Sequence, residues 1–363
     1  ADIKLGDSLR RALGQTPEGL QKSVLDSVVE YFQQRHKTKY DDSQVVLGAG
    51  AQPLIQTTIE VLAQRAGNKG LKVAVPQPGY GLYPPTVQAA GAELVPIHTD
   101  AKDHFLPRPE TLYSQLKDGS KKPTDIPHAV LLTEPNNPGG HYYTSKQIKD
   151  LAHAIKAREG YVIYDNVFGL TGFAKPMTAP NSVKILKEIL GDRLIVIDSV
   201  SKSVAAGGVR AGFAATTDPK LAEEIQKRTL APDPMAMAAT SQYLPQSEAL
   251  AAEHRQVLRQ QAEQLSNFFR TRRIPFIKAQ GGFSLYADLN AFFSGYRLTL
   301  ENGQEVELSR ENFHELLMSE AGIKIHADTW AGGPEGHYRF VFSIKRLPEA
   351  IQRLDQFFSR LKK

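Results

Sequence analysis

The sequence predicts an α/β protein: a large domain with a mostly parallel central sheet sandwiched by helices, plus a smaller α+β domain. Three observations lead to this fold class. From about residue 40 to 235, short apolar strands alternate with helical patterns, which favours parallel strands joined by helices. Strands such as Leu194–Asp198 are apolar almost throughout, as expected for burial on both faces. After residue 246 this alternation is replaced by one long helical pattern and then short strands and helices.

In the first part of the chain, the predicted strands are short, mainly apolar runs bounded by Gly, Pro or polar residues. In chain order they are Val45–Leu47, Lys72–Pro76, Glu93–His98, Ala129–Thr133, Tyr161–Asp165, Leu194–Asp198 and Val209–Ala215. The helices predicted between them are Pro53–Ala66, Pro84–Ala90, Pro109–Leu116 and Thr144–Arg158. Proline suits the first helical turn, and threonine suits an N-cap.

The second part has a different organisation. A long amphipathic helix is predicted over Gln246–Arg270, followed by the segment Gly-Gly-Phe-Ser-Leu-Tyr-Ala-Asp-Leu. The remaining predicted elements are the helix Ser309–Ala321, two short strands around Ile323–Ile325 and Tyr338–Phe342, and a last helix from Pro348. The early helix Leu20–Gln34 is expected to pack against this region. We therefore predict a large domain of residues 31–240 and a small domain of residues 1–30 and 241–363.

Length, charge and composition narrow the classes of function. A chain of 363 residues is too long for one compact core. The net charge of +5 is small and its basic residues are scattered, so we expect no nucleic-acid partner. The absence of cysteine excludes disulfides and thiolate metal sites, and we predict no metal. The apolar runs are too short to span a membrane and the first residues lack a signal-peptide core, so we expect a cytoplasmic protein without a membrane partner.

Two small-residue segments follow predicted strands, where ligands bind in sheets of this kind. Residues 48–53, Gly-Ala-Gly-Ala-Gln-Pro, lead into a helix, so the backbone N–H groups at the start of that helix could hold an anion. A tight strand-to-helix turn would explain the same residues. Residues 133–140, Thr-Glu-Pro-Asn-Asn-Pro-Gly-Gly, could present the Asn137 amide to a ligand oxygen or could form an ordinary turn.

Two ionisable side chains also follow apolar strands. Asp165 would be costly to bury unless paired, so it either caps the next helix or pairs with a cation such as a protonated ring nitrogen. Lys202 is either a solvated surface lysine or an amine nucleophile whose pKa is lowered by burial beside another cation. It stands among Ser199, Ser201 and Arg210, and hydroxyls with a guanidinium suit a phosphate group.

Together these features indicate one cofactor. A phosphate site, a carboxylate able to hold a protonated ring nitrogen, an amide donor and a reactive lysine are the groups that pyridoxal 5′-phosphate requires. They also follow successive strands of one predicted sheet.

The motifs resemble those of the fold-type I pyridoxal-phosphate enzymes, the aminotransferase class I/II family. Val-Pro-Gln-Pro-Gly-Tyr-Gly-Leu-Tyr is similar to the family's Pro-x-Tyr segment, and Asn-Asn-Pro-Gly-Gly to its Asn-Pro-x-Gly. Ser-Val-Ser-Lys-Ser-Val-Ala-Ala-Gly-Gly-Val-Arg-Ala-Gly is similar to its lysine motif, and Gly-His-Tyr-Arg-Phe-Val-Phe-Ser to its C-terminal arginine strand. The resemblance extends from about residue 15 to the C-terminus and implies an aminotransferase-like fold, usually a homodimer.

The resemblance implies a role for each matching residue. Lys202 would form the internal aldimine and shuttle the proton between Cα and C4′, and Asp165 would keep the pyridine nitrogen protonated. Asn137 would donate to the cofactor's 3′-oxygen and lie near the substrate. Tyr80, unless it is a core aromatic, would stack on the ring, with Tyr83 near Asp165. Residues implied to hold the phosphate are Ala51, Gln52, Ser199, Ser201 and Arg210. Arg339, unless it is a surface arginine, would bind the substrate α-carboxylate in bidentate fashion.

The sequence departs from the family pattern at two positions. Phe168 replaces the usual tyrosine three residues after the ring aspartate, which removes a donor to the cofactor 3′-oxygen and should raise the pKa of the internal aldimine. Gly14 stands where a tyrosine usually reaches the neighbouring subunit's phosphate, and the segment before it is short. Both departures bear on the reaction rather than on the cofactor.

The leading hypothesis is an aminotransferase, a transferase that moves an amino group between an α-amino acid and a 2-oxo acid through an internal aldimine and a quinonoid. The rival is another pyridoxal-phosphate reaction on an amino acid: β- or γ-elimination, cyclisation or oxidation. A third hypothesis is a non-catalytic aminotransferase-like sensor domain, which fold alone does not exclude. Against it, no DNA-binding helix-turn-helix pattern precedes residue 15.

Overall fold

The computed structural model describes residues 13–67, 70–113, 128–174 and 179–363. Its described α-helices, numbered in chain order, are α1 Pro17–His36, α2 Ala51–Ala66, α3 Tyr83–Ala89, α4 Pro109–Tyr113, α5 Ser145–Lys156, α6 Ser182–Leu190, α7 Val200–Ser203, α8 Pro219–Gln226, α9 Pro234–Tyr243, α10 Ser247–Thr271, α11 Arg310–Ala321 and α12 Leu347–Ser359. Its described strands are β1 Val45–Gly48, β2 Lys72–Gln77, β3 Glu93–His98, β4 Ala129–Thr133, β5 Tyr161–Asp165, β6 Leu194–Ser199, β7 Gly212–Thr216, β8 Phe276–Ile277, β9 Ser284–Asp288, β10 Arg297–Thr299, β11 Glu305–Glu307, β12 His337–Val341 and β13 Leu361–Lys362.

The large sheet has seven strands in the order β1-β7-β6-β5-β4-β2-β3. β7 runs antiparallel to both of its neighbours, and the other pairs are parallel. The predicted mostly parallel sheet and the α/β fold class are therefore confirmed. β4 and β6 are buried along their whole length, in agreement with helical cover on both faces.

The side chains of each strand alternate between two separate hydrophobic cores, one on each face of the sheet. One core contains Tyr164 and Val196 together with residues of α1, α5 and α6. The other contains Ile163 and Ile195 together with residues of α2, α3 and α8. Successive residues of a strand point to opposite faces, so the sheet is the middle layer of a three-layer sandwich.

The smaller region has its own core and two three-stranded sheets, in the orders β12-β9-β8 and β11-β10-β13. Aromatic side chains dominate this core; among its fully buried members are Phe269, Phe313, Phe342 and Phe357. α10, α11 and α12 supply one face of it. The long helix predicted over Gln246–Arg270 is α10.

The early helix packs differently from the prediction. Its buried side chains Val24, Val28, Tyr31 and Phe32 belong to the core of the large sheet, not to that of the smaller region. α1 also lies along α9, where Ser27 Oγ donates to Ser241 O at 3.4 Å. The helix meets residues 241–363 at their start, where Arg35 pairs with Glu248, but its apolar face covers the large sheet instead of the smaller region, in contrast to the prediction. The division into domains itself stays a prediction.

Two element predictions need local correction. Residues predicted to begin the strand Val209–Ala215 form a 3₁₀ turn over Gly207–Val209, and Arg210 has a φ of 58°, which no strand accommodates. Ile323–Ile325 belongs to no described strand. The helix predicted over Pro109–Leu116 is described as α4, and its last three residues lie outside the described residues. Thr144 caps α5 as expected and forms a capping box with Gln147.

His36, at the end of α1, predicts a pH-dependent stability. It is buried between Tyr31 and Phe32, and burial lowers the pKa of its imidazole from 6.5 to about 3. Between pH 6.5 and about 3, His36 therefore binds a proton in the unfolded chain but stays neutral in the folded chain. The stabilisation is complete above pH 6.5 and is lost as the pH falls toward 3.

We expect the free energy of unfolding to fall by at most about 1.4 kcal/mol per pH unit from this group. Denaturant titrations of wild type and His36→Gln between pH 7 and pH 4 measure it. The variant should lose part of the pH dependence, and equal slopes for the two proteins would contradict the assignment.

Candidate active site

The candidate site lies where three neighbouring strands end. β4, β5 and β6 are adjacent and parallel, with Thr133 paired to Asp165 and Asp165 paired to Ile197. Asn137 follows β4 and Lys202 follows β6. The register thus places three predicted site residues at one edge of the sheet, where ligands bind in sheets of this kind.

Asp165 is a buried carboxylate, with 5% of its surface exposed. Tyr83 donates its hydroxyl to Oδ2 at 2.6 Å, and the backbone N–H of Val167 donates to Oδ1 at 3.1 Å. Burial raises the pKa of the Asp165 carboxyl, while the Tyr83 hydrogen bond and the Lys202 charge oppose the rise. The hydrogen bonds described for Asp165 come from neutral groups and leave its negative charge without a paired positive charge. The carboxylate could therefore pair with a cation on a ligand.

Lys202 lies in α7, a single helical turn that begins directly after β6. Ser199 is the N-cap of this turn and accepts a hydrogen bond from the N–H of Ser201 at 3.3 Å. Burial lowers the pKa of the Lys202 ammonium, as do the charges of Arg339 and Arg210, against the attraction of Asp165. A larger fraction of neutral amine makes this lysine a better nucleophile toward a carbonyl carbon.

A group of small residues brings the start of α2 next to the lysine segment. Gly212 pairs with Ser199 across β7 and β6, and a Cβ on Gly212 would lie 2.7 Å from the Ala51 nitrogen. Gly50, the N-cap residue of α2, has a φ of 116° and offers no side-chain cap. The N–H groups that follow it are therefore left for an anion.

Arg210 lies against this helix start. Its guanidinium donates to Ala49 O at 3.3 Å and to Gly207 O at 3.2 Å. A Cβ on Gly50 would lie only 2.7 Å from Arg210 Nη2. A guanidinium beside open helix N–H groups forms a positively polarised seat that suits a phosphate. The backbone N–H of Gln52 belongs to this helix start, while the Gln52 side chain donates to Thr86 Oγ1 at 2.7 Å.

Asn137 and Arg339 line a common cavity with Phe168, Phe283 and Ser284. Asn137 is 8% exposed, and its buried Oδ1 has no hydrogen-bond partner among the described residues. Arg339, on β12, donates from Nε to Ser284 Oγ at 3.1 Å. Burial lowers the pKa of the Arg339 guanidinium. The alternative that Arg339 is an exposed surface arginine, which the sequence alone allowed, therefore does not hold.

Two aromatic contacts complete the site, and sequence reasoning missed one of them. Tyr80 is half-buried and meets Tyr83 edge-on, with ring centroids 5.2 Å apart. Trp330 meets Tyr80 at 5.8 Å, and the Arg339 guanidinium lies 5.3 Å from the Trp330 ring centroid. Trp330 is the only tryptophan in the chain, but nothing in its sequence neighbourhood signals this contact.

Phe168 is buried, and its ring meets that of Phe283 edge-on at 5.3 Å. The Lys202 ammonium lies 6.0 Å from the same Phe283 ring. This side of the site is therefore apolar at the position where the family usually has a tyrosine hydroxyl.

Comparison with known proteins gives consistent matches. The model of the family "Aminotransferase class I and II" matches residues 3–354. An aspartate aminotransferase of Bacillus sp. (strain YM-2) is 25% identical over 348 residues, which cover 94% of this chain and 83% of that protein. The fold is similar to the aspartate aminotransferase of Rhizobium meliloti, with a TM-score of 0.82, 18% identity and coverage of 99% and 87%. It is equally similar to an aromatic aminotransferase of Pyrococcus horikoshii OT3, with a TM-score of 0.81, 19% identity and coverage of 98% and 91%.

The contact between Gly50 and Arg210 yields a mutational prediction. Gly50→Ala places a Cβ against the guanidinium at a positive φ, which strains the backbone by about 1–3 kcal/mol and displaces Arg210. We expect binding of pyridoxal 5′-phosphate to weaken by about tenfold or more, as loss of one charge-assisted hydrogen bond implies. Equilibrium dialysis of the cofactor measures it.

Gly67→Ala is the matched control. Gly67 caps the other end of α2 with a φ of 59°, and its Cβ would meet nothing within 4 Å. It should lower the melting temperature while leaving cofactor affinity unchanged. Equal affinity losses in the two variants would show that backbone strain, not Arg210, accounts for the effect.

Proposed function

This chain belongs to the aminotransferase class I and II family, and from that premise we propose that it is a pyridoxal-phosphate-dependent enzyme that moves an amino group between an α-amino acid and a 2-oxo acid. The observation that carries the proposal is the convergence of Lys202, Asp165 and Asn137 at one sheet edge, with Arg339 and Asn137 lining a common cavity.

The residues present fit pyridoxal 5′-phosphate. The buried Asp165 carboxylate lacks a cation partner among the described residues, and a protonated pyridine nitrogen would supply one. The buried Oδ1 of Asn137 has no hydrogen-bond partner among the described residues, so this amide oxygen is left to accept from a ligand donor, while its NH₂ group would donate to the cofactor's 3′-oxygen. The start of α2 and Arg210 would hold the phosphate together with Ser199 and Ser201. Bound there, the cofactor supplies an electron sink for negative charge beside the amino group.

The chain's own residues would do the rest. Lys202 Nζ, with a lowered pKa, would take the proton from the substrate Cα and deliver it to the cofactor's C4′. Arg339 would hold the α-carboxylate, because Ser284 fixes its Nε and leaves the Nη pair for a bidentate contact. Tyr80 and Trp330 would cover this side of the site and exclude water.

One observation favours a second candidate function. Phe168 provides no hydroxyl and packs against Phe283, so Asn137 would be the main donor to the cofactor's 3′-oxygen. Without the tyrosine hydroxyl, the proton affinity of the bound cofactor would differ from that in family members that have it. This difference is compatible with another pyridoxal-phosphate reaction on an amino acid, such as β- or γ-elimination, cyclisation or oxidation.

The partners proposed are a small-molecule α-amino acid, a 2-oxo acid and a second copy of the chain. Leu230 is 76% exposed, and its carbonyl accepts from the N–H of Ala49 beside the proposed phosphate seat at 3.0 Å. Met235, five residues on, is 52% exposed. These apolar side chains next to the site support a homodimer with its interface here. No described helix is long and apolar enough to cross a membrane, and a cytoplasmic location stays a prediction from the sequence.

A half-reaction tests the proposed function. The protein loaded with pyridoxal 5′-phosphate is mixed with aspartate, asparagine or phenylalanine in the absence of an oxo acid. We expect one of these amino acids to convert the cofactor's absorbance to that of pyridoxamine phosphate, with one equivalent of oxo acid released. Adding a 2-oxo acid should restore the original spectrum. Release of ammonia or pyruvate without need of a second oxo acid would contradict transfer and favour elimination.

The variant Arg339→Lys makes this test specific to the site. Loss of the planar guanidinium should raise the half-saturating amino-acid concentration by about tenfold or more without changing the resting spectrum. Arg346→Lys is the control, because Arg346 is exposed on the surface and pairs with Glu349. Its half-saturation should match wild type.

A further inference from the structure

A second buried carboxylate lies beside the site, on the opposite face of the sheet. Asp198 is the fifth residue of β6, with 1% of its surface exposed. Because side chains alternate along a strand, Asp198 and Asn166 face the core that contains α1, whereas Asp165 faces the candidate site. No role proposed above uses Asp198.

Three groups donate hydrogen bonds to this carboxylate. The Tyr31 hydroxyl and the Asn166 amide donate to Oδ2 at 2.8 and 2.6 Å. The backbone N–H of Ser199 donates to Oδ1 at 2.7 Å. All three partners act as donors, so an ionised carboxylate, which only accepts, satisfies every one of them. An amide in its place would direct its NH₂ group at one of these donors.

The partners of Asp198 connect it to the site residues. Ser199 is the N-cap of the turn that carries Lys202. Asn166 directly follows Asp165, and its N–H donates to Ile197 O at 2.8 Å. One carboxylate therefore ties the end of β5 to the end of β6, and Tyr31 anchors both to α1.

The charges around Asp198 come from α1. The charge of Arg35 lowers the pKa of Asp198 through space, without a hydrogen bond between the two side chains. The Arg35 guanidinium donates to Gly169 O at 2.6 Å and pairs with Glu248 at 3.5 Å. His36 lies beyond Asn166, with 3.4 Å between Nε2 and Nδ2, and burial keeps it neutral. Burial raises the pKa of the Asp198 carboxyl to about 7, although the three donors and Arg35 oppose it.

We infer that Asp198 is a positioning residue of the cofactor site, which acts through Ser199 and Asn166 to hold Lys202 and Asp165 in their mutual geometry. The inference rests on the proposed function, since bound cofactor reports the geometry. In its ionised form, Asp198 is also expected to favour a positive charge at Lys202 Nζ, because the protein interior between the two groups screens poorly.

The test is the pH titration of the visible absorbance of the holoenzyme, with kcat and KM measured alongside. Asp198→Asn should lower the midpoint of that titration by about half a pH unit or more, because a nearby negative charge is lost. We expect kcat to fall by about tenfold, with KM within about twofold of wild type. Tyr31→Phe keeps the carboxylate and removes one donor, so it should shift the midpoint in the same direction by less.

Glu320→Gln is the matched control. Glu320 accepts from Arg360 at 2.8 Å and from the N–H of Glu301 at 3.0 Å, in the smaller region. Glu320→Gln should lower the melting temperature and leave the midpoint of the absorbance titration unchanged.

The outcomes separate the two proposals. A wild-type protein without a visible cofactor band overturns the proposed function, and this inference with it. A normal wild-type band, with the midpoint and kcat of Asp198→Asn at wild-type values, overturns only the inference and makes Asp198 a purely structural residue. If Asp198→Asn fails to fold, the midpoint of Tyr31→Phe decides: a shift supports the inference and no shift overturns it.

Discussion

The register of three parallel strands is the constraint on which the rest of the structure depends. β4, β5 and β6 end at the same edge of the sheet because Asp165 pairs with Thr133 on one side and with Ile197 on the other. A shift of one residue would turn every side chain of β5 to the opposite face. Asp165 would then face α1, and Asn166 would face the site. The apolar residues that set this register, such as Ile163 and Ile195, therefore also determine where the chemistry takes place.

Burial has a different consequence on each side of this edge. On the site side, Asp165 is buried and Arg339 is partly buried, and their hydrogen bonds come from or go to neutral groups. A charged group without a charged partner is costly to bury, so the folded chain is ready to bind a ligand that carries both signs of charge. On the α1 side, Asp198 is satisfied by three donors of the chain itself. The first arrangement leaves charged groups available to a ligand, and the second is complete within the chain.

Much of the large domain follows from sequence pattern. β3, β4 and β5 have the predicted bounds, because short, mainly apolar runs next to turn residues have few alternatives. The edge that gathers Asn137, Asp165 and Lys202 also follows, since parallel strands share their carboxyl end. The packing of α1 did not follow, because an amphipathic helix fits any apolar surface and the sequence does not say which one. The contact of Trp330 with Tyr80 and that of Asp198 with Tyr31 each join residues more than one hundred and sixty positions apart, and local pattern carries no trace of them. Alternation along β6 could have placed Asp198 opposite to the site, but not its three donors.

The most direct measurement concerns Lys202 itself. The protein is incubated with pyridoxal 5′-phosphate, reduced with borohydride, digested and examined by mass spectrometry. The account predicts one phosphopyridoxyl group, on the peptide that contains Lys202, and no such adduct in Lys202→Ala. A label on another lysine, or a label that persists in Lys202→Ala, would contradict the placement of the site at the end of β6.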